Sequence, residues 1–255
     1  MAIQEYLGTN QVFTADDFRR AFPDSVTDRN LLTRAVLAGQ VDRPKRGLYV
    51  SKTGQFSRTQ ASPLDVAAKA AGDAVFCYLS ALQVHGVLHN VAFRTQFYTA
   101  RKIASFEYAG QSYQAIRLPN TAPQVQSILA PTGHRYAVTT REQTLIDCLD
   151  RLALAGGPEN VLRSISGFRH IDIDVVLGIA ADCSSSLRAR LGWVFQIQAE
   201  PWRVPQEVLL DLAGSLGSGP HYFSSATEPR DSYWVSEWRL YLPYPEQEMA
   251  QWLSQ

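Results

Sequence analysis

The sequence predicts an α+β fold, with a small helix-rich module at the N-terminus ahead of a larger body of mixed helices and strands. Three observations carry this expectation. The 255 residues exceed one average domain, and 45% apolar, 11% aromatic and 19% charged residues suit a buried core and exclude disordered or collagen-like chains. Helical periods dominate the first 40 residues, whereas helical and alternating periods are interleaved from residue 63 onward. Charge is also divided: residues 1–60 hold nine Lys/Arg against six Asp/Glu, and the remainder holds 15 against 18. A basic end and a slightly acidic body suggest that a polyanion is met at the N-terminus.

The elements follow in order. Met1 to Leu7 is a short apolar-periodic piece. Thr14 and Asp17 have the spacing of a capping box, and Phe18, Ala21 and Phe22 follow at helical spacing until Pro23 stops them. A second helix starts near Ser25 or Thr27. With Thr27 as its cap, Leu31, Leu32, Ala35 and Val36 form one stripe, Asn30, Thr33 and Arg34 face away, and Arg29 lies on the flank. Gly39 ends it. Val41 to Val50 reads as two short strands around a turn at Pro44 and Gly47, with Arg43, Lys45 and Arg46 near its tip.

Helix, tight turn, helix and basic hairpin is the order of a winged helix-turn-helix, which lays its second helix in the DNA major groove. A helix N-terminus offers backbone N–H groups to phosphate, and polar side chains there reach base edges. The DNA-binding set expected on these grounds is Ser25, Thr27, Arg29, Asn30, Thr33, Arg34, Arg43, Lys45 and Arg46. Asp28 and Asp42 weaken the positive field.

The module spans 1–52, a polar stretch over 53–62 serves as linker, and the body occupies 63–255. Ser62, Pro63 and Asp65 open a helix to about Ala71. Val75 to Leu88 reads as an extended entry and then a helix from Ser80 or Ala81. Strands are expected over Phe93–Ala100, Ser105–Ala109 and Ser112–Leu118, the last two joined as a hairpin across Gly110. Leu118 to His134, with three prolines and no charge before His134, reads as a long surface connection. Tyr136–Thr139 is a strand, and Thr140 caps a periodic helix closed by Gly156 and Gly157. Helices near 158–166, 172–181, 185–198 and 205–216 follow, and Ser232–Tyr241 closes the fold as a strand.

The chemistry-bearing residues give no catalytic constellation. His85 and His89 stand four apart but lack a third ligand at suitable spacing and the Glu of H-E-x-x-H, so they read as packing residues. Asp172 or Asp174 reads as an N-cap and first-turn acid of a helix; as a pair on a strand, with Glu142, the two are the alternative of a metal-dependent nuclease or nucleotidyltransferase. Glu142 and Asp147, five apart on a helix, do not face one another. Gly214, Gly217 and Gly219 form no dinucleotide fingerprint, and no Walker loop or nucleophile elbow occurs. The aromatic group Tyr233, Trp234, Trp238, Tyr241, Tyr244 and Trp252 is expected to be mostly core. Cys77, Cys148 and Cys183 are odd in number and widely spaced, which fits buried thiols in a reducing cytoplasm. The uncharged run Ala74–Phe93 contains five polar groups and is not a membrane span. The expectation is a non-enzyme without cofactor or metal.

Four blocks in this order, RPKRGLYV (43–50), YLSALQVHG (78–86), TTREQTLIDCLDRLALAGG (139–157) and RLGWVFQ (190–196), resemble the AbiEi-type antitoxins and related transcriptional regulators of phage-defence systems. The resemblance covers nearly the whole chain and is weakest after about Pro220. It implies an N-terminal winged helix that represses its own promoter at inverted repeats, and a C-terminal domain that provides antitoxicity and cooperative or dimeric DNA binding. It also implies a neighbouring nucleotidyltransferase-like toxin in a type IV pair, with direct contact between the two left open. A toxin-binding module without operator binding is the further alternative. Only Arg43, Lys45, Arg46 and the helix before them carry over, and the net +3 of residues 1–60 is modest for such a module.

Overall fold

The computed structural model describes residues 3–23, 28–130, 133–224 and 229–254. Along the chain the elements are α1 (Ile3–Thr9), β1 (Val12–Thr14), α2 (Ala15–Ala21), α3 (Asp28–Leu37), β2 (Val41–Lys45), β3 (Leu48–Ser51), α4 (Pro63–Ala71), β4 (Val75–Phe76), α5 (Tyr78–Val84), β5 (Arg94–Thr99), β6 (Phe106–Tyr108) and β7 (Gln111–Arg117). There follow β8 (Val125–Leu129), β9 (Arg135–Thr139), α6 (Arg141–Asp150), α7 (Pro158–Ile165), α8 (Ile173–Ala180), α9 (Ser185–Ile197), α10 (Ala199–Trp202), α11 (Gln206–Gly214), β10 (His221–Tyr222), β11 (Tyr233–Val235), β12 (Leu240–Leu242) and α12 (Glu246–Trp252). The fold is α+β, and among the described residues no helix is long and apolar enough to cross a membrane.

The chain divides into two compact units. The first combines residues 1–75, 93–119 and 129–136; the second holds 76–92, 120–128 and 137–255.

In the first unit, β1, β3 and β2 form a small antiparallel sheet in that order. Tyr6, Leu7, Phe13, Phe18, Leu32, Ala35 and Val41 pack into one buried cluster against it. Tyr6 meets Phe13 and Phe18 edge-on at 5.3 and 5.4 Å, the geometry favoured by the ring quadrupoles. Burying each such ring contributes about 1.5–3 kcal/mol, which is how three short helices hold together in so short a stretch. The expected polar linker is tied down by side-chain bonds: Gln55 donates to the Gly8 carbonyl and Gln11 to the Thr59 carbonyl. β5 and β7 are parallel, and β6 returns antiparallel to β7 through Ala109 and Gly110, both at positive φ, as a two-residue hairpin requires.

The Thr14 capping box forms in full. Thr14 Oγ1 accepts from the Asp17 amide at 3.1 Å and the Thr14 amide donates to Asp17 Oδ2 at 2.9 Å. Burial acts to raise the Asp17 pKa, but the two Thr14 bonds and the Lys69 ammonium 3.2 Å away outweigh it and hold the carboxyl at about 2, below its ordinary 3.8. A depressed carboxyl stabilises the fold fully above pH 3.8 and loses that contribution as pH falls toward 2. Thr14→Ala is therefore expected to cost about 1 kcal/mol near neutral pH and to flatten the acid limb of a thermal-melting series. An unaltered acid limb would contradict this account of the cap.

In the second unit α6 is the central helix, buried along Gln143–Leu149 and packed against α5, α7, α8 and α9. α9 carries Trp193, Val194 and Phe195 into the core and packs on α11 and on the small sheet β10-β12-β11. Trp238 is fully buried over Gly192 of α9, and its indole N–H donates to Gln196 Oε1.

Five expectations are corrected, the first being that the helix capped by Thr140 ends at Asp150 and does not run on to Gly156 and Gly157. The stretch Leu118–His134 is not all connection, because Val125–Leu129 forms strand β8 next to β9. Ser232–Tyr241 is two strands rather than one, since Arg239 at φ 47° turns the chain between β11 and β12, and β10 and α12 add to it. The helix after Val75 begins at Tyr78, ahead of Ser80 and Ala81. The aromatic group is split: Trp238 and Trp252 are core, while Tyr233, Trp234 and Tyr244 are nearly half exposed.

Candidate nucleic-acid interface

The outward face of α3 is polar because its apolar stripe is consumed by the core. Leu32 and Ala35 are buried and Leu31 and Val36 half-buried. Asn30, Thr33 and Arg34 are exposed on the remaining face. Arg29 lies in α3, but its side chain is outside the described set; Ser25 and Thr27 are likewise outside the described residues. Leu37, 83% exposed, lies three residues beyond Arg34 on this face. It was absent from the expected set, although its place one turn beyond Thr33 and Arg34 was readable.

The hairpin β2–β3 sorts its three cations differently from the sequence expectation. Arg43 and Arg46 are exposed, with Gly47 at φ 83° making the turn beyond Arg46. Lys45 is half-buried with Nζ 5.3 Å above the Phe106 ring. Loss of water around it lowers the ammonium pKa, and the ring face compensates part of that cost. On the same strand Asp42 accepts from the Tyr108 hydroxyl at 3.0 Å and pairs with Lys52 at 2.9 Å. Tyr108 is correspondingly pushed above its ordinary pKa, by burial first and then by Asp42, and stays a neutral donor. One side of the ribbon thus rests on β6, which fixes its direction, and the other presents Arg43 and Arg46. Phe106 and Tyr108 were missed because they stand over 60 residues away in sequence.

Asp42, which subtracts from the field by count alone, is largely neutralised by Lys52. Arg19 and Arg20 pair with Asp16 and Asp17 at 2.6 Å on α2, so they are internal to that helix. Among the described side chains, the cations left projecting from α3 and the hairpin are Arg34, Arg43 and Arg46.

The alternative acids do not assemble. Asp172 Oδ1 accepts from the Val175 amide as the N-cap of α8, and Asp174 is an exposed first-turn acid. Glu142 Oε1 accepts from the Asp172 amide, so it fastens that cap to α6.

No protein-family model matches the chain, and no curated protein is similar to it in sequence. Among solved structures, the crystal structure of the RV2827C protein from Mycobacterium tuberculosis is similar in fold, with a TM-score of 0.69 at 13% identity, covering 99% of this chain and 94% of that one.

Proposed function

We propose that this protein is a DNA-binding transcriptional autorepressor that acts as the antitoxin of an AbiEi-like, type IV pair, with a winged helix-turn-helix as its reader of DNA. The observation that carries the reading is the order α1-β1-α2-α3-β2-β3 closing on a β1-β3-β2 sheet, with the polar face of α3 and the arginines of one hairpin both exposed. That is the layout by which a second helix enters the major groove while a ribbon reaches phosphate or the minor groove. The sequence blocks that resemble the antitoxin family support the same assignment.

On this reading each projecting group has a task. Asn30 and Thr33 read base edges, with amide and hydroxyl groups able to donate and accept. Arg34, Arg43 and Arg46 neutralise phosphates, and Lys45 holds the ribbon in place rather than touching DNA. A module neutralising about three phosphates gives a log-log salt slope near −2.7 and a non-specific Kd of only about 10⁻⁴–10⁻⁶ M. One copy is weak, so two copies on an inverted repeat are required for effective repression. The partners are promoter duplex DNA, a second copy on that DNA, and a nucleotidyltransferase-like toxin encoded beside it.

A reporter fused to the DNA upstream of the protein's own reading frame tests this. Repression by the intact chain, and its loss with Arg34→Ala, Arg43→Ala and Arg46→Ala combined, is expected. Full repression by the triple variant would sink the DNA reading. Co-expression with the neighbouring toxin gene should restore growth, and failure of the intact chain to do so would remove the antitoxin role.

A further inference from the structure

The second unit is rich in acids by sequence, yet one concavity in it has the opposite character. A pocket of about 680 Å³ opens between the C-terminal end of α5, the start of α6, and the end of α7 with the loop after it. Arg141, Arg163, Arg169, His85, His89 and Phe168 line it, and no Asp or Glu does so among the described residues. These come from three separate stretches of sequence, with His85 in the YLSALQVHG block and Arg141 in the TTREQTL block.

Each wall is held from behind. His85 ends α5, and its Nε2 lies 2.8 Å from the Thr139 carbonyl, so Nε2 carries the proton and donates. Its Nδ1 has no hydrogen-bond partner among the described residues, and the ring stands edge-on to buried Phe168 at 5.8 Å. Burial lowers the His85 pKa against the raising effect of the Thr139 bond; Arg141 lowers it further and Glu142 opposes. The Ser164 hydroxyl accepts from the His89 amide at 3.0 Å, and the Ser166 hydroxyl donates to the Arg163 carbonyl at 2.7 Å. Arg163 is braced by Glu159 at 2.8 Å and lies 6.0 Å from the Trp252 ring centroid.

Arg141 and Arg169 have no ion-pair partner among the described residues. Arg141 moreover occupies the first position of α6, where the helix dipole disfavours a cation and favours an anion. With Arg163 already paired to Glu159, two uncompensated guanidiniums remain at this concavity, one of them at a helix N-terminus, an arrangement that runs against local electrostatics unless an anion completes the site. The guanidinium fork matches phosphate oxygens two at a time, and the volume lies within the range of small-ligand sites, roughly 300–1,000 Å³.

We infer that this pocket of the second unit binds the di- or triphosphate group of a free organic polyphosphate, through Arg141 and Arg169. Phe168, the one Phe, Tyr or Trp among the described lining residues, is only 3% exposed and offers no open face to a base, so the site selects phosphate. The concave, localised arrangement suits a compact anion better than an extended strand, whose contacts track a groove. This inference does not depend on the DNA reading of the first unit.

Isothermal titration of the full chain with sodium tripolyphosphate and, separately, with ATP tests it. Saturable binding of both is expected, with affinities within about threefold of each other because the base is not read. Arg141→Gln combined with Arg169→Gln should weaken both at least tenfold while circular dichroism stays unchanged, and Arg169→Lys should weaken them less. Arg43→Ala with Arg46→Ala in the hairpin should leave the titration unaltered. Absence of binding, equal affinity in the Arg141/Arg169 variant, or a loss in the hairpin variant would each overturn the assignment. A single-stranded oligonucleotide that competes with tripolyphosphate and binds more tightly would also overturn it, in favour of a nucleic-acid subsite.

Discussion

Trp238→Ala is expected to lower the free energy of unfolding of the second unit by about 3–5 kcal/mol, the range for removing a large aromatic from a core that cannot collapse. Trp238 is 0% exposed and lies across α9 at Gly192, so its removal empties the space between α9 and the segment joining β11 to β12. It also strands Gln196, whose amide oxygen accepts the indole proton. The reciprocal change has the same direction. A methyl at Gly192 would collide with the six-membered ring of Trp238, so Gly192→Ala should cost about 1–3 kcal/mol by overpacking, even though alanine gains about 1 kcal/mol of helix propensity. Gly178 in α8 is the control: nothing lies within 4 Å of the position its Cβ would take. There Gly178→Ala should stabilise by about 0.5–1 kcal/mol. Urea unfolding followed by tryptophan fluorescence reads this unit directly, since all five tryptophans lie within it. A neutral Gly192→Ala would contradict the packing described.

The second large effect concerns DNA. Arg34→Ala, Arg43→Ala and Arg46→Ala together should reduce affinity for duplex by about 10²–10³-fold at ~0.1 M salt, three phosphate contacts each contributing roughly 0.9 to the log-log slope. These three side chains are exposed and anchor nothing in the core, so the melting temperature should hold. Lys45→Ala should behave in the opposite manner. Its ammonium rests on Phe106, so its loss should loosen the hairpin and change affinity far less than the loss of Arg43 or Arg46. An electrophoretic shift assay with matched thermal melts separates the two classes, and equal losses of affinity from Lys45 and Arg46 would contradict the division.

What could be read from the sequence was local. The Thr14–Asp17 box, the turn at Gly110, the Pro63 start and the caps at Thr140 and Asp172 are each decided within four residues, and all are present. Strand β8 escaped because five residues flanked by Pro123 and Pro131 carry too little alternation to stand out from a loop. Helix α12 carried a usable signal in Pro245, Glu246 and Glu248, an N-terminal proline and first-turn acids, that was passed over. For the site, the polar face of α3 and the exposure of Arg43 and Arg46 followed from periodicity. That Lys45 would be withdrawn depended on Phe106 and Tyr108, a pairing that no periodicity encodes. The arginine pocket was illegible for the same reason: Arg141, Arg163 and Arg169 belong to different elements, and His85 and His89 read as packing residues when considered alone.

Fluorescence anisotropy of a labelled duplex carrying the inverted repeat upstream of the gene, titrated with the protein between about 50 and 200 mM salt, tests the central claim most directly. A log-log slope near −2.7 per bound copy is predicted, falling in magnitude by about 1.8 when Arg43 and Arg46 are both alanine. A slope near zero, or one that the two substitutions leave unchanged, would contradict a phosphate-gripping role for α3 and its neighbouring hairpin.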